Sequence, residues 1–103
     1  MTNNDIQKFK GRWLIRIAEI VWDSGLAVRS AIILMDYIDR EYACETGVLV
    51  AYPAQQTLAD RMGASRDGVK RALEKLAERG LLEIVPGKGK GNSSRYYFKL
   101  PDN

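Results

Sequence analysis

Histidine is missing from the 103-residue chain. Its absence removes Ser–His and Cys–His nucleophiles, imidazole acid–base chemistry and most transition-metal sites, including nucleic-acid nicking centres that hold a metal on histidines. Cysteine occurs once, at Cys44. No internal disulfide can form, which excludes the framework of a disulfide-rich secreted domain. No apolar run approaches the roughly 20 residues that cross a bilayer. The opening MTNNDIQ has neither the basic stretch nor the apolar core of an export signal, so a cytoplasmic location is expected. Asp23, Asp36 and Asp39 lack the Gly-rich acidic loop that a hard cation needs and read as a solvated helix face. Nothing points to an enzyme, a metal, a cofactor or a small-molecule substrate.

What is present is a soluble composition, 46% hydrophobic and 28% charged, in a length that suits one small domain spanning 1–103. The net charge of +3 is unevenly spread. Residues 1–53 hold six Lys/Arg against seven Asp/Glu, while residues 54–103 hold ten against six. The basic second half favours a polyanionic partner over a membrane or an acidic small molecule.

Residues 52–80 organise the chain. Leu58, Ala59 and Met62 give a first short amphipathic helix, which Gly63 ends by accepting positive φ. Ser65 is placed to N-cap a second helix, whose stripe is Val69, Ala72, Leu73, Leu76 and Ala77 and which stops at Gly80. Two amphipathic helices around so short a turn are the helix-turn-helix pattern. The other face of the second helix carries Arg66, Asp67, Lys70, Arg71, Glu74 and Lys75. Three cations in its first half oppose the helix dipole, which prefers acids there. An ordinary solvated face would produce some of this charge. A helix whose N-terminal end enters a DNA major groove would produce all of it.

The flanks complete a fold. A helix is expected over 5–22, capped by Asp5, with Phe9, Trp13, Leu14, Ile17, Ala18, Ile20 and Val21 apolar. A second is expected over 26–42, with Val28, Ala31, Ile32, Leu34, Met35 and Ile38 apolar. Strands are expected at 48–51, 81–85 and 95–100, the last two forming a hairpin around GKGKGNSS at 87–94. That glycine-rich run lacks the spacing of a nucleotide-binding loop and joins strand to strand, not strand to helix. The order is mainly α with a small β-hairpin (α+β): a winged helix-turn-helix core over 26–100 with an additional N-terminal helix over 5–24. Trp13 and Trp22 either pack on the second helix or give part of their surface to a second copy, and a homodimer is expected. A two-fold dimer would read two half-sites about one helical turn apart.

The segments AVRSAIILMDYI and AYPAQQTLADRMGASRDGVKRALEKLAERGLL resemble bacterial winged helix-turn-helix domains of plasmid replication proteins, phage regulators and GntR-type transcription factors. The resemblance covers residues 27–82 and implies sequence-specific binding of double-stranded DNA, with transcriptional regulation as the expected role in a bacterial, nucleoid-associated protein. The alternatives are a replication-initiation or accessory DNA-binding factor and a protein-interaction winged helix. The recognition helix would span 66–79 and the basic wing 86–95. In the family, Ser-Arg-x-Thr-Val follows the turn; here the residues are Ser65, Arg66, Asp67, Gly68 and Val69. Gly68 in place of Thr removes a hydroxyl and weakens the helix by roughly 1 kcal/mol relative to Ala, which suggests either a close backbone approach to DNA or an unusual base preference. Ala54 stands where a capping Ser is common, a loss of about 1 kcal/mol. Arg66 and Lys70 are assigned to base edges, with Asp67 suited to a cytosine amino group. Ser65, Arg71, Gln55, Gln56, Thr57, Lys88, Lys90 and Arg95 are assigned to phosphates.

Overall fold

A computed structural model describes residues 1–87 and 94–101. Helix α1 runs Asn3–Ile20, earlier at both ends than expected. Its cap is Thr2, not Asp5. Thr2 Oγ1 accepts from the Asp5 N–H at 3.1 Å while Asp5 Oδ2 accepts from the Thr2 N–H at 2.9 Å. Two orphan donors are thus satisfied reciprocally in a capping box. At the other end, Arg79 Nη1 donates to the Ile20 carbonyl at 3.0 Å.

The single helix expected over 26–42 is two. Helix α2 spans Gly25–Met35, capped by Ser24, and α3 spans Arg40–Thr46. The break is made by tertiary pairing. Ile38 forms an antiparallel bridge to Ala51, and the Asp39 N–H donates to the Val50 carbonyl at 2.9 Å. The Asp39 side chain then caps α3 by accepting from the Tyr42 N–H at 3.0 Å, and Gly47 ends it at φ 75°. Asp36 and Asp39 therefore do not share a helix face. Asp36 accepts from Arg61 at 3.0 Å, and Asp39 accepts from the Tyr52 hydroxyl at 2.7 Å. Among the described residues no carboxylate or thiol cluster could hold a metal.

The hairpin strands are β2 (Leu82–Val85) and β3 (Arg95–Phe98), and β1 (Val50–Ala51) adds on the far side of β3. The sheet order is β1-β3-β2, antiparallel throughout. Tyr96 lies between Ala51 and Ile84, and Phe98 pairs with Leu82. Period-two alternation turns both rings into the core, where they are buried.

The core includes α1. Ile6, Trp13 and Ile17 are buried with Leu34, Leu73, Leu76, Leu81 and Phe98. Trp13 packs edge-on to Phe98, ring centroids 4.8 Å apart, and its Nε1–H donates to the Leu81 carbonyl at 3.0 Å. The two tryptophans part company: Trp22 is 74% exposed, and Ala18, expected in the apolar stripe, is exposed as well.

Candidate nucleic-acid interface

Helix α4 (Gln55–Met62) and helix α5 (Arg66–Glu78) are joined by the turn at 63–65. Gly63 sits at φ 61°, ψ 34°, and the Ala64 N–H returns to the Ala59 carbonyl at 3.0 Å. This closes α4 in the left-handed exit that glycine permits. Ser65 Oγ accepts from the Gly68 N–H at 3.0 Å and starts α5. Val69, Ala72, Leu73 and Leu76 bury the inner face of α5, which fixes its outer face.

That outer face carries the expected residues. Ser65, Arg66, Asp67, Lys70 and Arg71 are all exposed on the first two turns, and Glu74 and Glu78 follow on the later ones. The charge is net basic over the first half and balanced over the second, where Glu74 and Glu78 stand against the half-buried Lys75 and the C-cap Arg79. The cations nearby that serve the fold are different ones. Arg29 Nη2 donates to the Met62 carbonyl at 2.6 Å, and Arg61 pairs with Asp36 while lying over the Tyr37 ring, 5.5 Å from its centroid. Among the described residues no carboxylate lies within 4.0 Å of Arg66, Lys70 or Arg71. Three cations without a carboxylate partner among the described residues, with Asp67 beside them, thus lie on the first half of a helix whose inner face is packed.

The remaining positions divide. Thr57 is exposed at the start of α4, whereas Gln56 Nε2 is engaged by Asp60 Oδ1 of its own helix at 2.7 Å. Gln55 is half-buried. Ala54, at the N-cap, makes no side-chain capping bond, so the first N–H groups of α4 keep their donors. Arg95 is exposed opposite Val85 at the base of the hairpin. Lys88 and Lys90 lie outside the described residues. At the base of the hairpin, the Tyr96 hydroxyl is buried without a hydrogen-bond partner among the described residues. Burial pushes its pKa above the ordinary 10.0, with the nearby Gln55 and Ser94 side chains opposing the shift.

Gly68 is closely neighboured within the molecule. A Cβ there would come within 3.1 Å of Ser65 Oγ and 3.4 Å of Leu26 Cδ2. The glycine faces its own cap and helix α2, and a larger residue there would press on both side chains by a few tenths of an ångström.

Sequence reasoning missed Arg29 and Ser30. Arg29 holds the C-terminal end of α4 from helix α2, and the buried Ser30 hydroxyl, donating to the Leu26 carbonyl at 2.7 Å, also touches Met62 Sδ at 3.5 Å. Together they lock the turn to α2. No spacing signals a contact 33 residues away.

The sequence model of the gntR family of bacterial regulatory proteins matches residues 31–90. That segment contains the last five residues of α2 (31–35), α3, β1, both helices of the motif and the first strand of the hairpin. Comparison with curated proteins and with solved structures gives no match. Among the described residues no helix is long and apolar enough to cross a membrane.

Proposed function

Because the chain belongs to the gntR family of bacterial regulatory proteins, a DNA-binding transcription regulator, we propose that it reads double-stranded DNA in a sequence-specific way with the N-terminal half of α5 in the major groove. The observation that carries this reading is the trio Arg66, Lys70 and Arg71, exposed and without carboxylate partners on a helix whose cap, turn and inner face are all fixed. Arg66 and Lys70 address base edges, where Arg and Lys pair with guanine O6 and N7, and Asp67 accepts from a cytosine amino group. Ser65 and Arg71 take phosphates.

The uncapped N-terminus of α4 suits a further phosphate, since orphan N–H groups and the helix dipole both favour an anion there. Gln55 and Thr57 flank it, and Gln56 joins them by exchanging Asp60 for the backbone. Arg95, Lys88 and Lys90 extend the contact along the wing. The whole chain, 1–103, acts as one unit, and two copies bind two half-sites related by a two-fold axis.

Selection of bound duplexes from a random pool at two salt concentrations tests this. An enriched inverted repeat with half-sites about one helical turn apart is the expected result. Binding without enrichment that disappears as salt rises would reduce the basic face to a nonspecific anchor and overturn the reading.

A further inference from the structure

Gly11 has no explanation inside the molecule. It lies in the middle of α1 with its φ outside the positive region, it is exposed, and a Cβ built on it would meet nothing within 4 Å. Glycine in a helix interior is destabilising relative to alanine, so here it serves neither the backbone nor the packing. It leaves a gap on the helix surface that only something outside the monomer can fill.

The gap belongs to a stripe. Helical spacing aligns Lys8, Gly11, Ile15 and Ala18 down one side of α1, directly opposite the buried Ile6, Trp13 and Ile17, and Trp22 follows in the turn just past the helix end. Ile15 is 61% exposed, and it and Trp22 are the two most exposed of the large apolar side chains. Small residues stand on either side of Ile15, at Gly11 and Ala18.

The charges select the occupant. On the N-terminal side of Ile15 the outer face carries Lys8 and Arg12, Asp5 being engaged in the capping box; on the C-terminal side it carries Glu19 with Arg16 beside it, and Asp23 follows past the helix end. The surface complementary to such a face is the same face running the other way. We propose that α1 pairs antiparallel with α1 of a second copy, with the two-fold axis passing at Ile15. This deepens the two-copy reading above and rests on it.

Residues equally far on either side of Ile15 then meet across the axis. Arg12 faces the partner's Ala18 and Glu19, and Lys8 faces the partner's Trp22. Gly11 and Ala18 allow the helices to approach closely, and the indole of Trp22 reaches over the gap at Gly11 with the Lys8 ammonium against its face. Within its own helix Glu19 contacts Arg16 at 3.8 Å. That pair is solvent-screened and weak, and it leaves a Glu19 carboxylate oxygen for the partner's Arg12. The interface is isologous, as a two-fold dimer requires.

Sedimentation equilibrium of the full chain without DNA tests the pairing. At about 100 μM, where a dimer of micromolar affinity is mostly assembled, the wild type sediments as a dimer. Gly11→Gln weakens association at least tenfold, while its unfolding midpoint at about 1 μM, where the dimer contributes little, is unchanged or higher. Arg12→Glu and Glu19→Arg each weaken association at least tenfold, and an equimolar mixture of the two restores it, because the mixed pair regains opposite charges at both ends. A wild type that stays monomeric overturns the α1 pairing, while the two-copy reading stands or falls with the inverted repeat in the duplex selection above. A dimer indifferent to Gly11→Gln and to the charge reversals overturns only the α1 pairing and moves the two-fold contact elsewhere.

Discussion

Arg66 and Arg29 are both arginines beside the same turn, yet the proposed reading gives them different parts in DNA binding. Arg66 is exposed with no carboxylate in reach, so Arg66→Ala is expected to cost about 1–3 kcal/mol of discrimination at one or two base pairs and to leave the fold unchanged. Arg29 spends its guanidinium on the Met62 carbonyl. Arg29→Ala removes a charge-assisted bond at the end of α4, so it lowers stability by about 1–2 kcal/mol and weakens binding to all sequences alike. Competition binding on single-base operator variants separates the two. Equal discrimination by wild type and Arg66→Ala would remove Arg66 from the base edges, and altered base preference in Arg29→Ala would contradict its positioning role. Tyr96 supplies a residue-scale test of a different kind. Its hydroxyl is buried without a partner among the described residues, so Tyr96→Phe deletes a desolvated polar group and keeps the ring. Urea unfolding should show a change between zero and a gain of about 1 kcal/mol. A clear loss would mean that Gln55 or Ser94 holds that hydroxyl in solution.

At the scale of elements, legibility followed locality. The turn of the motif was readable because Gly63 and Ser65 act on their own neighbours: a left-handed exit and a cap three residues long. The face of α5 was readable because helical spacing alone sorts Val69, Ala72, Leu73 and Leu76 from Arg66, Lys70 and Arg71. The α2–α3 break was not, because Ile38 and Asp39 leave the helix to pair with Val50 and Ala51, partners that no periodicity in 26–42 reveals. The cap at Thr2 was displaced to Asp5 because both residues belong to one reciprocal box and either can be read as its start. These caps carry a pH dependence. The Tyr42 backbone N–H, and next the Tyr52 hydroxyl, hold the Asp39 carboxyl below its ordinary 3.8, and the Thr2 backbone N–H and hydroxyl do so for Asp5. The folded state therefore binds these protons more weakly than the unfolded chain. Their contribution to stability is complete above about 3.8 and is lost as pH falls through the lower folded values. Asp39→Asn retains an acceptor for the Tyr42 N–H but cannot titrate. Urea midpoints followed from about pH 5 to pH 2 should fall less in the variant than in the wild type. Parallel falls would place the acid sensitivity of this protein elsewhere.

For the whole molecule, the question is whether α1 is an appendage or part of the fold, since the family match begins only at residue 31. Three contacts tie it down at separate points. Trp13 bonds to Leu81 and packs on Phe98, Arg79 at the end of α5 holds the Ile20 carbonyl, and Ile6 and Ile17 join the same core as Leu34 and Leu73. The Leu81 carbonyl also accepts from the Lys99 N–H at 3.0 Å, so α1, the base of β2 and the end of β3 meet at one oxygen. The inner face of α1 thus stabilises the hairpin, while its outer face is exposed. Trp13→Phe keeps a ring in the core, loses the bond and opens a small cavity; the oxygen retains its second donor, which limits the cost to about 1–3 kcal/mol. If helix and hairpin open as one cooperative unit, native-state hydrogen exchange will show amides of α1 and of β2–β3 losing the same protection in this variant. Loss confined to α1, with the hairpin as protected as in the wild type, would mean that the N-terminal helix detaches on its own and that the winged helix can stand without it.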